Sequence, residues 1–277
     1  MSEAVLTEQN PGFPDLLRSW RKLRKLSQWD LSISAGISQR HLSFLESGRS
    51  SPSRDMVIKL ASSLDIPLQE RNSLLGSAGF APVYQEAPLD DANLAQARQA
   101  LEILLKHHEP YPCLVVDRNW NMLMSNEANL KLFSKFVDPI TVWEKIDDPG
   151  ERNLVRLVMH PNGLKPYIVN WSVFASYFVR GLKQELRANP YALKTRALLK
   201  EVERFADVTE LDPSDTSAPS MPFLSMNLES PDFSISLFSM VSTFGSPHDV
   251  TLQQLKIETF FPADEESEIN IRALSLH

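Results

Sequence analysis

The sequence predicts two domains: an all-α domain of five short helices, followed by an α+β domain built on a five-stranded, largely antiparallel sheet. The chain has 277 residues, and a domain averages about 150, which supports this count. Apolar residues recur at helical spacing through 13–79, whereas later runs alternate between apolar and polar residues. We therefore assign 1–12 as a flexible N-terminus, 13–79 as the helical domain, 80–92 as a linker and 93–277 as the α+β domain.

The helical domain is divided by residues that typically begin and end helices. Leu16, Trp20, Leu23 and Leu26 lie on one face of a first helix. Serines precede the next three helices as candidate N-caps, and glycines and one proline mark the other boundaries. The caps are Ser27, Ser38 and Ser53, the helix ends are at Gly36, Gly48 and Gly79, and Pro67 begins the last helix. These signals predict a third helix over 39–47 and a fifth over 67–78.

The α+β domain begins with an amphipathic segment from Leu94 to Leu105. The runs CLVVD and WNMLM, separated by Arg118 and Asn119, predict a β-hairpin with a two-residue turn. Periodicity and composition predict the other elements in order: helices over 126–134, 151–160, 168–188 and 190–205, a surface loop over 207–221, strands over 223–229, 233–244 and 251–261, and a closing helix over 264–275.

The net charge of −7 is unevenly distributed along the chain. Residues 16–59 contain nine basic and three acidic residues, which leaves −13 for the remainder. A basic segment suits the phosphate backbone of a nucleic acid, so the overall acidity does not exclude DNA as a partner. No apolar run is long enough to span a membrane, no signal peptide is recognisable, and one cysteine allows no internal disulfide. We therefore expect a cytoplasmic protein with no membrane partner.

Residues 27–49 have the pattern of a helix-turn-helix, with two short helices joined by a turn at Gly36, where a positive φ is expected. In this motif the first turn of the second helix enters the DNA major groove. Arg40 is suited to guanine and Gln39 to adenine, while other polar groups would contact phosphates. The predicted DNA-binding residues are Gln28, Ser38, Gln39, Arg40, Ser43, Arg49 and Arg24.

The run LRKLSQWDLSISAGISQRHLSFLESGRSSPSRDMVIKLASSLDIP at 23–67 resembles the XRE/Cro-type helix-turn-helix family. It has the Ser-Gln start, the glycine turn, the Leu-Glu-x-Gly-Arg end and the Pro-Ser start of the fourth helix. It departs where most members carry alanine at one of the positions of Ser32 and Ser34. The resemblance implies double-stranded DNA as partner, and a homodimer, because proteins that read half-sites usually pair.

The resemblance extends to the MmyB-like branch of that family through RHLSFLESGRSSPSRDMVIKLASSLDIPLQERNSLLGSAGFAPVY, NLVRLVMHPNGLKPYIVNW (153–171) and STFGSPHDVTLQQLKIETFFPAD (242–264). It implies a transcription regulator with a C-terminal PAS-like domain, in which helices cover one face of an antiparallel sheet. It also implies that this domain holds a small apolar, fatty-acid-like ligand and requires no cofactor.

Methionines adapt to irregular apolar shapes, and the aromatic stripe of 168–188 could form a wall for such a ligand. The predicted ligand-binding residues are Trp120, Met122, Met124, Phe133, Met159, His160, Asn170, Trp171, Phe174 and Phe178. For the polar end of the ligand, the candidates are Arg156, His160, Asn170 and Arg180. Each methionine or aromatic residue, taken alone, also fits a packed core, and His160 also fits a helix C-terminal turn.

An alternative is a DNA-binding regulator whose C-terminal domain is a ligand-free scaffold for dimerisation or protein interaction. We do not expect an enzyme, because the sequence contains no G-x-S-x-G elbow, P-loop or dinucleotide fingerprint. We also expect no metal site, because His107 and His108 are adjacent and would point to different sides of a helix. Cys113 precedes an apolar run and is expected to be a buried, unreactive residue.

Overall fold

The computed structural model describes residues 11–84, 87–188, 192–205, 225–245 and 249–275. The chain forms two compact units, one comprising Met1–Ala87 with Pro247–Gln253, the other Pro88–Ser246 with Gln254–His277. The predicted loop over 207–221, and all but the last two residues of the predicted flexible N-terminus, lie outside the described residues. Within the described ranges, no helix combines the length and the hydropathy needed to cross a membrane.

The first unit contains the five predicted helices: α1 (Phe13–Leu23), α2 (Gln28–Ser34), α3 (Gln39–Glu46), α4 (Arg54–Ser63) and α5 (Leu68–Ser77). Ser27 and Asp30 form a reciprocal capping box, in which each side chain accepts the other residue's backbone N–H at 3.1 and 2.9 Å. Ser38 and Ser53 cap α3 and α4 by accepting the N–H groups of His41 and Met56, each at 3.2 Å. These caps confirm the sequence prediction, because capping depends on residues only three positions apart.

The second unit contains a five-stranded sheet in the order β2-β1-β5-β4-β3, with antiparallel pairing between all neighbours. The strands are β1 (Cys113–Val116), β2 (Met122–Ser125), β3 (Met226–Ser230), β4 (Phe233–Ser242) and β5 (Lys256–Pro262). The helices are α6 (Ala95–His107), α7 (Glu127–Phe133), α8 (Val142–Ile146), α9 (Leu154–Met159), α10 (Trp171–Ala188), α11 (Leu193–Phe205), α12 (Val250–Gln254, mostly in the first unit) and α13 (Glu265–Ser275). The predicted fold class is confirmed for both units.

Both faces of the central strands are covered. Leu114 pairs with Glu258 and Val116 with Lys256, and these paired side chains share a face. Leu114 and Val116 belong to one apolar core with residues of α7 to α11. On the other face Val115 pairs with Ile257, both are buried, and α6 contacts β1. Polar side chains of β5 therefore point toward a layer of helices.

Three sequence predictions are wrong in detail. The predicted strand over 251–261 begins as helix α12, where Asp249 Oδ1 accepts the backbone N–H of Leu252 at 3.1 Å, and β5 starts only at Lys256. The predicted two-residue turn is a longer loop over 117–121. The helix predicted from 168 begins at Trp171, because Ile168 forms a β-bridge with Leu228. The short helix α8 was not predicted.

The first unit also includes most of α12, which lies between β4 and β5 in the chain. Gln253 Oε1 accepts the N–H of Leu68, the first residue of α5, at 3.1 Å. Thr251 Oγ1 accepts the N–H of Ala87 at 3.1 Å and donates to its carbonyl at 2.8 Å. Pro67 precedes α5 and provides no side-chain cap. Gln253 therefore supplies, from far along the sequence, an acceptor that α5 lacks locally.

Candidate DNA-binding and ligand-binding sites

Helix α3 presents an apolar side to the core of its unit and a polar side to solvent. Leu42 and Leu45 are fully buried, whereas Gln39 and Arg40 in the first turn are exposed. The Arg40 guanidinium lies 5.4 Å from the Phe44 ring centroid, a cation–π contact on the helix surface. Ser38 caps the helix by accepting the His41 N–H at 3.2 Å, and Ser43 is half-buried one turn on. The structure thus brings the predicted base-reading residues together on one turn.

The residues predicted to contact phosphates differ in their surroundings. Arg49 is exposed just beyond α3, where its N–H donates to the Phe44 carbonyl at 2.9 Å. The Arg24 guanidinium donates to the carbonyls of Leu64 and Asp65 at 2.8 and 2.6 Å, at the end of α4. Arg24 therefore donates to carbonyl groups that lack a hydrogen-bond donor at the end of the helix. The sequence predicted a phosphate contact for Arg24 and not this structural role.

Gln28 and Glu46 belong to a polar cluster inside the unit. Gln28 Nε2 donates to Glu46 Oε2 at 2.9 Å. Arg21 donates to both carboxylate oxygens of Glu46, and Arg18 donates to its backbone carbonyl. Burial alone would raise the pKa of Glu46, but the hydrogen bonds from Arg21 and Gln28 and the charges of Arg21 and Arg18 outweigh it, so that pKa is lowered. Sequence reasoning missed this role of Glu46, although its place beside Leu42 and Leu45 on a short helix indicated an inward side chain.

In the second unit three predicted ligand residues form a continuous aromatic surface, here called the aromatic wall: Trp120, Phe174 and Phe178. The Phe174 and Phe178 centroids are 5.9 Å apart, and those of Phe178 and Trp120 are 6.0 Å apart. All three side chains are half-buried. Trp171, at the start of α10, lies beneath the Lys165 ammonium, with Nζ 4.8 Å from the ring centroid.

The other predicted apolar residues belong to the core, pack against it or point to the opposite face of the sheet. Phe133 and Met159 are buried core residues. Met122 packs against the core from the helix-covered face of the sheet, with its sulfur 4.0 Å from Asn129 Nδ2. Met124 pairs with Val115 and therefore points to the opposite face.

The predicted polar contacts are engaged within the protein. Asn170 Nδ2 donates to the Ser225 carbonyl at 2.7 Å and its Oδ1 accepts the Asn227 N–H at 3.0 Å. Arg156 forms ion pairs with three carboxylates, those of Asp147, Glu151 and Glu201. Arg180 is exposed, with its guanidinium 5.1 Å from the Tyr177 ring centroid.

His160 ends helix α9, and its ring has two neighbours. Its Nδ1 accepts the Asn162 N–H at 3.0 Å, and the ring lies edge-on to Phe205, with centroids 4.7 Å apart. Burial lowers the pKa of His160, although the charge of Glu201 opposes this. These contacts are those of a helix C-terminal turn, the alternative that the sequence left open for this residue.

Lys256 of β5 lies over the aromatic wall, and sequence reasoning missed it. Its Nζ is 4.1 Å from the Trp120 ring centroid and 3.0 Å from Glu185 Oε1 of α10. Glu258 is on the same face of β5, and burial raises its pKa, against the opposing effects of a hydrogen bond from Ser239 and the charge of Lys256. The sequence showed alternation along this strand, but the position of Lys256 over Trp120 follows only from the packing of helices on that face.

Trp120 sits in a constrained loop between β1 and β2. Its φ is +69°, a region that bulky residues rarely occupy. Asp117 holds the loop, because its Oδ1 accepts the N–H groups of Asn119 and Asn121 at 2.7 and 2.9 Å. The Trp120 Nε1 atom is buried and has no hydrogen-bond acceptor among the described residues.

Three further observations bear on what the second unit can bind. A cavity of about 200 Å³ between α7 and α13 is lined by residues outside the predicted ligand set, including Glu109, Lys131, Leu132 and Ile271. In the part of the chain that the structure describes, no three His, Cys, Asp or Glu side chains are grouped so that they could hold a metal ion. Burial raises the pKa of the Cys113 thiol to about 11, so the thiol is protonated at neutral pH.

Comparisons with known proteins agree on two regions of the chain. A family model described as "MmyB-like transcription regulator ligand binding domain" matches residues 97–274, and a helix-turn-helix family model matches residues 17–71. Both families are regulatory DNA-binding or ligand-binding domains and not enzymes. No curated protein matches the chain. A solved structure titled "Structure of an RNA-binding Light-Oxygen-Voltage Receptor" aligns with 11% identity and a TM-score of 0.30, over 96% of this chain and 64% of that one.

Proposed function

The chain belongs to the family of MmyB-like transcription regulators, with a DNA-binding helix-turn-helix and a ligand-binding domain, and from this premise we propose how it works. A small apolar, fatty-acid-like molecule binds the second unit, which is a PAS-like domain, and modulates sequence-specific binding of the first unit to double-stranded DNA. No cofactor besides this ligand takes part. The proposal is carried by the exposed first turn of α3 and by the half-buried aromatic wall.

Reading of the DNA sequence is assigned to Gln39 and Arg40. Both are exposed at the start of α3, whose opposite side is anchored by the buried Leu42 and Leu45. A guanidinium can pair bidentately with guanine, and a glutamine amide with adenine. Arg49 is exposed just beyond the end of α3, where its charge suits contact with a DNA phosphate. Because a single such helix reads only a half-site, we propose that the protein binds DNA as a homodimer.

Binding of an acyl chain is assigned to the aromatic wall. Phe174 and Phe178 lie on α10 with half-exposed rings, and Trp120 continues their surface. The helices between β2 and β3 lie over the same face of the sheet, which is the arrangement expected of a PAS-like domain. An acyl chain can cover aromatic rings that are partly exposed to solvent, and this removes apolar surface from water.

The DNA-binding proposal is tested by selecting binding sequences from a random DNA pool with the full chain. The Arg40→Ala variant is expected to lose about 1–3 kcal/mol of discrimination at one base position. Arg98→Ala is the matched control, because Arg98 is an exposed arginine whose ion pair, among the described residues, is with Glu102 on its own helix α6. Unchanged sequence preference in the Arg40 variant would show that α3 is not the reading element.

The ligand proposal is tested by native mass spectrometry of the purified chain and by thermal unfolding with saturated fatty acids of increasing chain length. We expect bound acyl molecules, a rise in melting temperature, and loss of both in Phe178→Ala. Tyr177→Ala, which removes an exposed ring from the same helix, serves as control. Absence of any bound acyl molecule and of any thermal shift would instead favour the ligand-free scaffold.

A further inference from the structure

Helix α12, up to Gln253, belongs to the first unit, although the chain before and after it belongs to the second. It lies between β4, which ends at Ser242, and β5, which begins at Lys256, and these strands are antiparallel neighbours in the sheet. Antiparallel neighbours are usually joined by about two to five residues. The connection 243–255 is much longer, and its extra length supplies a helix to the first unit.

Helix α12 is too short to persist without a partner. It has five residues, whereas isolated helices shorter than about 12–15 residues are marginal in water. Its Val250 side chain is only 2% exposed, which a single turn of helix cannot achieve alone. Helix formation in this segment therefore depends on docking against the rest of the first unit, so that docking and folding of α12 are one step.

Two parts of the first unit are tied to the docked helix. Gln253 Oε1 accepts the N–H of Leu68 at the start of α5. Farther along α5, Asn72 Oδ1 accepts two N–H groups of the segment 83–87, each at 3.0 Å. Thr251 of α12 accepts the N–H of the last residue of that segment and donates to its carbonyl. Helix α12 thus holds the start of α5 and the segment through which the chain leaves this unit.

Contacts lead from α12 in two directions. Helix α5 packs against α1 and α4, and α1 packs against α3. Hydrogen bonds from Arg21 to Glu46 join α1 to α3, so the position of α5 bears on the helix assigned to read DNA. In the other direction, Lys256 follows Gln253 by three residues and lies over Trp120 of the aromatic wall. A molecule on that wall therefore adjoins the first residue of β5.

We propose, resting on the function proposed above, that α12 is a two-state strap: ligand binding in the second unit changes the fraction of chains in which α12 is docked, and docking sets the affinity of α3 for DNA. The ligand needs no contact with the first unit, because α12 and β5 are continuous in the chain. A ligand shifts such an equilibrium only by binding one state better than the other. A chain that cannot dock α12 therefore loses the regulation and keeps the ligand.

The test measures the affinity of the full chain for its selected DNA sequence with and without dodecanoic acid, by fluorescence anisotropy. The strap variant combines Thr251→Val with Gln253→Ala, which removes the hydrogen bonds to Ala87 and Leu68. Each lost bond should weaken docking about fivefold. The ratio of the two DNA affinities in this variant is expected to fall to about twofold or less.

The control variant combines Thr259→Val with Gln99→Ala, the same two substitutions at positions outside the strap. Thr259 Oγ1 donates to the Met240 carbonyl within the sheet, and Gln99 is exposed on α6. This variant should keep the wild-type ratio of DNA affinities. Both variants should keep the rise in melting temperature with dodecanoic acid, because their substitutions lie outside the aromatic wall.

Hydrogen exchange, followed by NMR, gives a second readout that needs no variant. Side chains of α12 accept the N–H groups of Leu68 and Ala87, which are far apart in sequence. Dodecanoic acid is expected to change both exchange rates in the same direction and by a similar factor, because one docking step protects both. The N–H of Met56, which Ser53 Oγ accepts at the start of α4, is the control and should exchange at an unchanged rate.

Two results would overturn the proposal. One is a strap variant with the full wild-type ratio, which would place the coupling in the connection after residue 87. The other is a wild-type chain whose DNA affinity responds to the acid while exchange at Leu68 and Ala87 does not, and this measurement decides even if the strap variant misfolds. A wild-type chain whose DNA affinity responds to no saturated fatty acid is a different result, because it would overturn the proposed function and the strap with it.

Discussion

Arg21 of α1 and Glu46 of α3 are joined by two parallel hydrogen bonds, from Nε to Oε1 at 2.6 Å and from Nη2 to Oε2 at 2.9 Å. Their side chains are only 12% and 2% exposed, so water screens this ion pair weakly. A fork-shaped pair of this kind fixes geometry as well as charge. It ties the first helix of the unit to the helix that carries the predicted base-reading residues.

Glu46→Gln should therefore destabilise the first unit strongly. The substitution leaves Arg21 charged, largely buried and without its ion-pair partner, at a cost of about 3 kcal/mol in the free energy of unfolding. Urea unfolding of the full chain measures the loss. The control is Glu102→Gln, which breaks the exposed pair with Arg98 and should cost less than about 0.5 kcal/mol. Equal losses would mean that burial of the Arg21 pair contributes nothing.

The same pair predicts a pH dependence with a definite sign. The pKa of Glu46 is lowered in the folded chain, so the unfolded state binds the proton more tightly. The stabilisation is fully present above the unfolded pKa of about 4.3 and is lost as pH falls through the lower folded value. The difference in unfolding free energy between wild type and Glu46→Gln should accordingly be constant near neutral pH and shrink in acid. A difference that grows in acid would contradict this sign.

Substitution of two glycines by alanine should change the free energy of unfolding in opposite directions. Gly36 has a φ of +55°, where an L side chain is strained, so Gly36→Ala should cost about 1 kcal/mol. Gly76 lies inside α5, and an added Cβ there would meet no atom within 4 Å. Gly76→Ala should stabilise by about 0.5–1 kcal/mol, because alanine favours helix and restricts the unfolded chain. Chemical unfolding of the two variants side by side checks both signs.

Arg49 and Arg40 should differ in what their loss does to DNA binding. Arg49 is exposed beyond α3 and suits contact with a phosphate, so Arg49→Ala should lower the affinity for all DNA sequences by a similar factor. It should also reduce by about 1 the slope of log affinity against log salt concentration. Arg40→Ala should mainly relax preference at one base pair. Fluorescence anisotropy titrations over a salt series separate the two, and a base-specific loss in Arg49→Ala would reverse the assignment.

Local signals in the sequence predicted the first unit well. Ser27, Ser38 and Ser53 each cap a helix by accepting an N–H three residues later, so a short stretch of sequence contains the whole interaction. The positive φ of Gly36 was likewise predictable from its place between two short helices. Which residues α3 exposes followed from the spacing of Leu42 and Leu45.

The proposed ligand site could be predicted only in part, because its residues come from distant segments. The aromatic stripe of α10 was visible as helical spacing, and Trp120 was among the predicted ligand-binding residues. Lys256 was not, since alternation along a strand does not reveal whether its polar side faces water or a layer of helices. Asn170 was assigned to a ligand, yet its amide bonds Ser225 and Asn227, whose positions depend on β3 pairing in the folded sheet.

The bond from Leu68 N–H to Gln253 Oε1 has a consequence for how the protein is made. Domains generally fold as units during synthesis, N-terminal residues first. The first unit is an exception in one respect. The Leu68 N–H at the start of α5 bonds an acceptor on Gln253, and the ribosome adds Gln253 only after most of the second unit. Thr251, which bonds Ala87, arrives equally late. The nascent DNA-binding unit therefore gains these hydrogen bonds only after residues 251–253 have been synthesised.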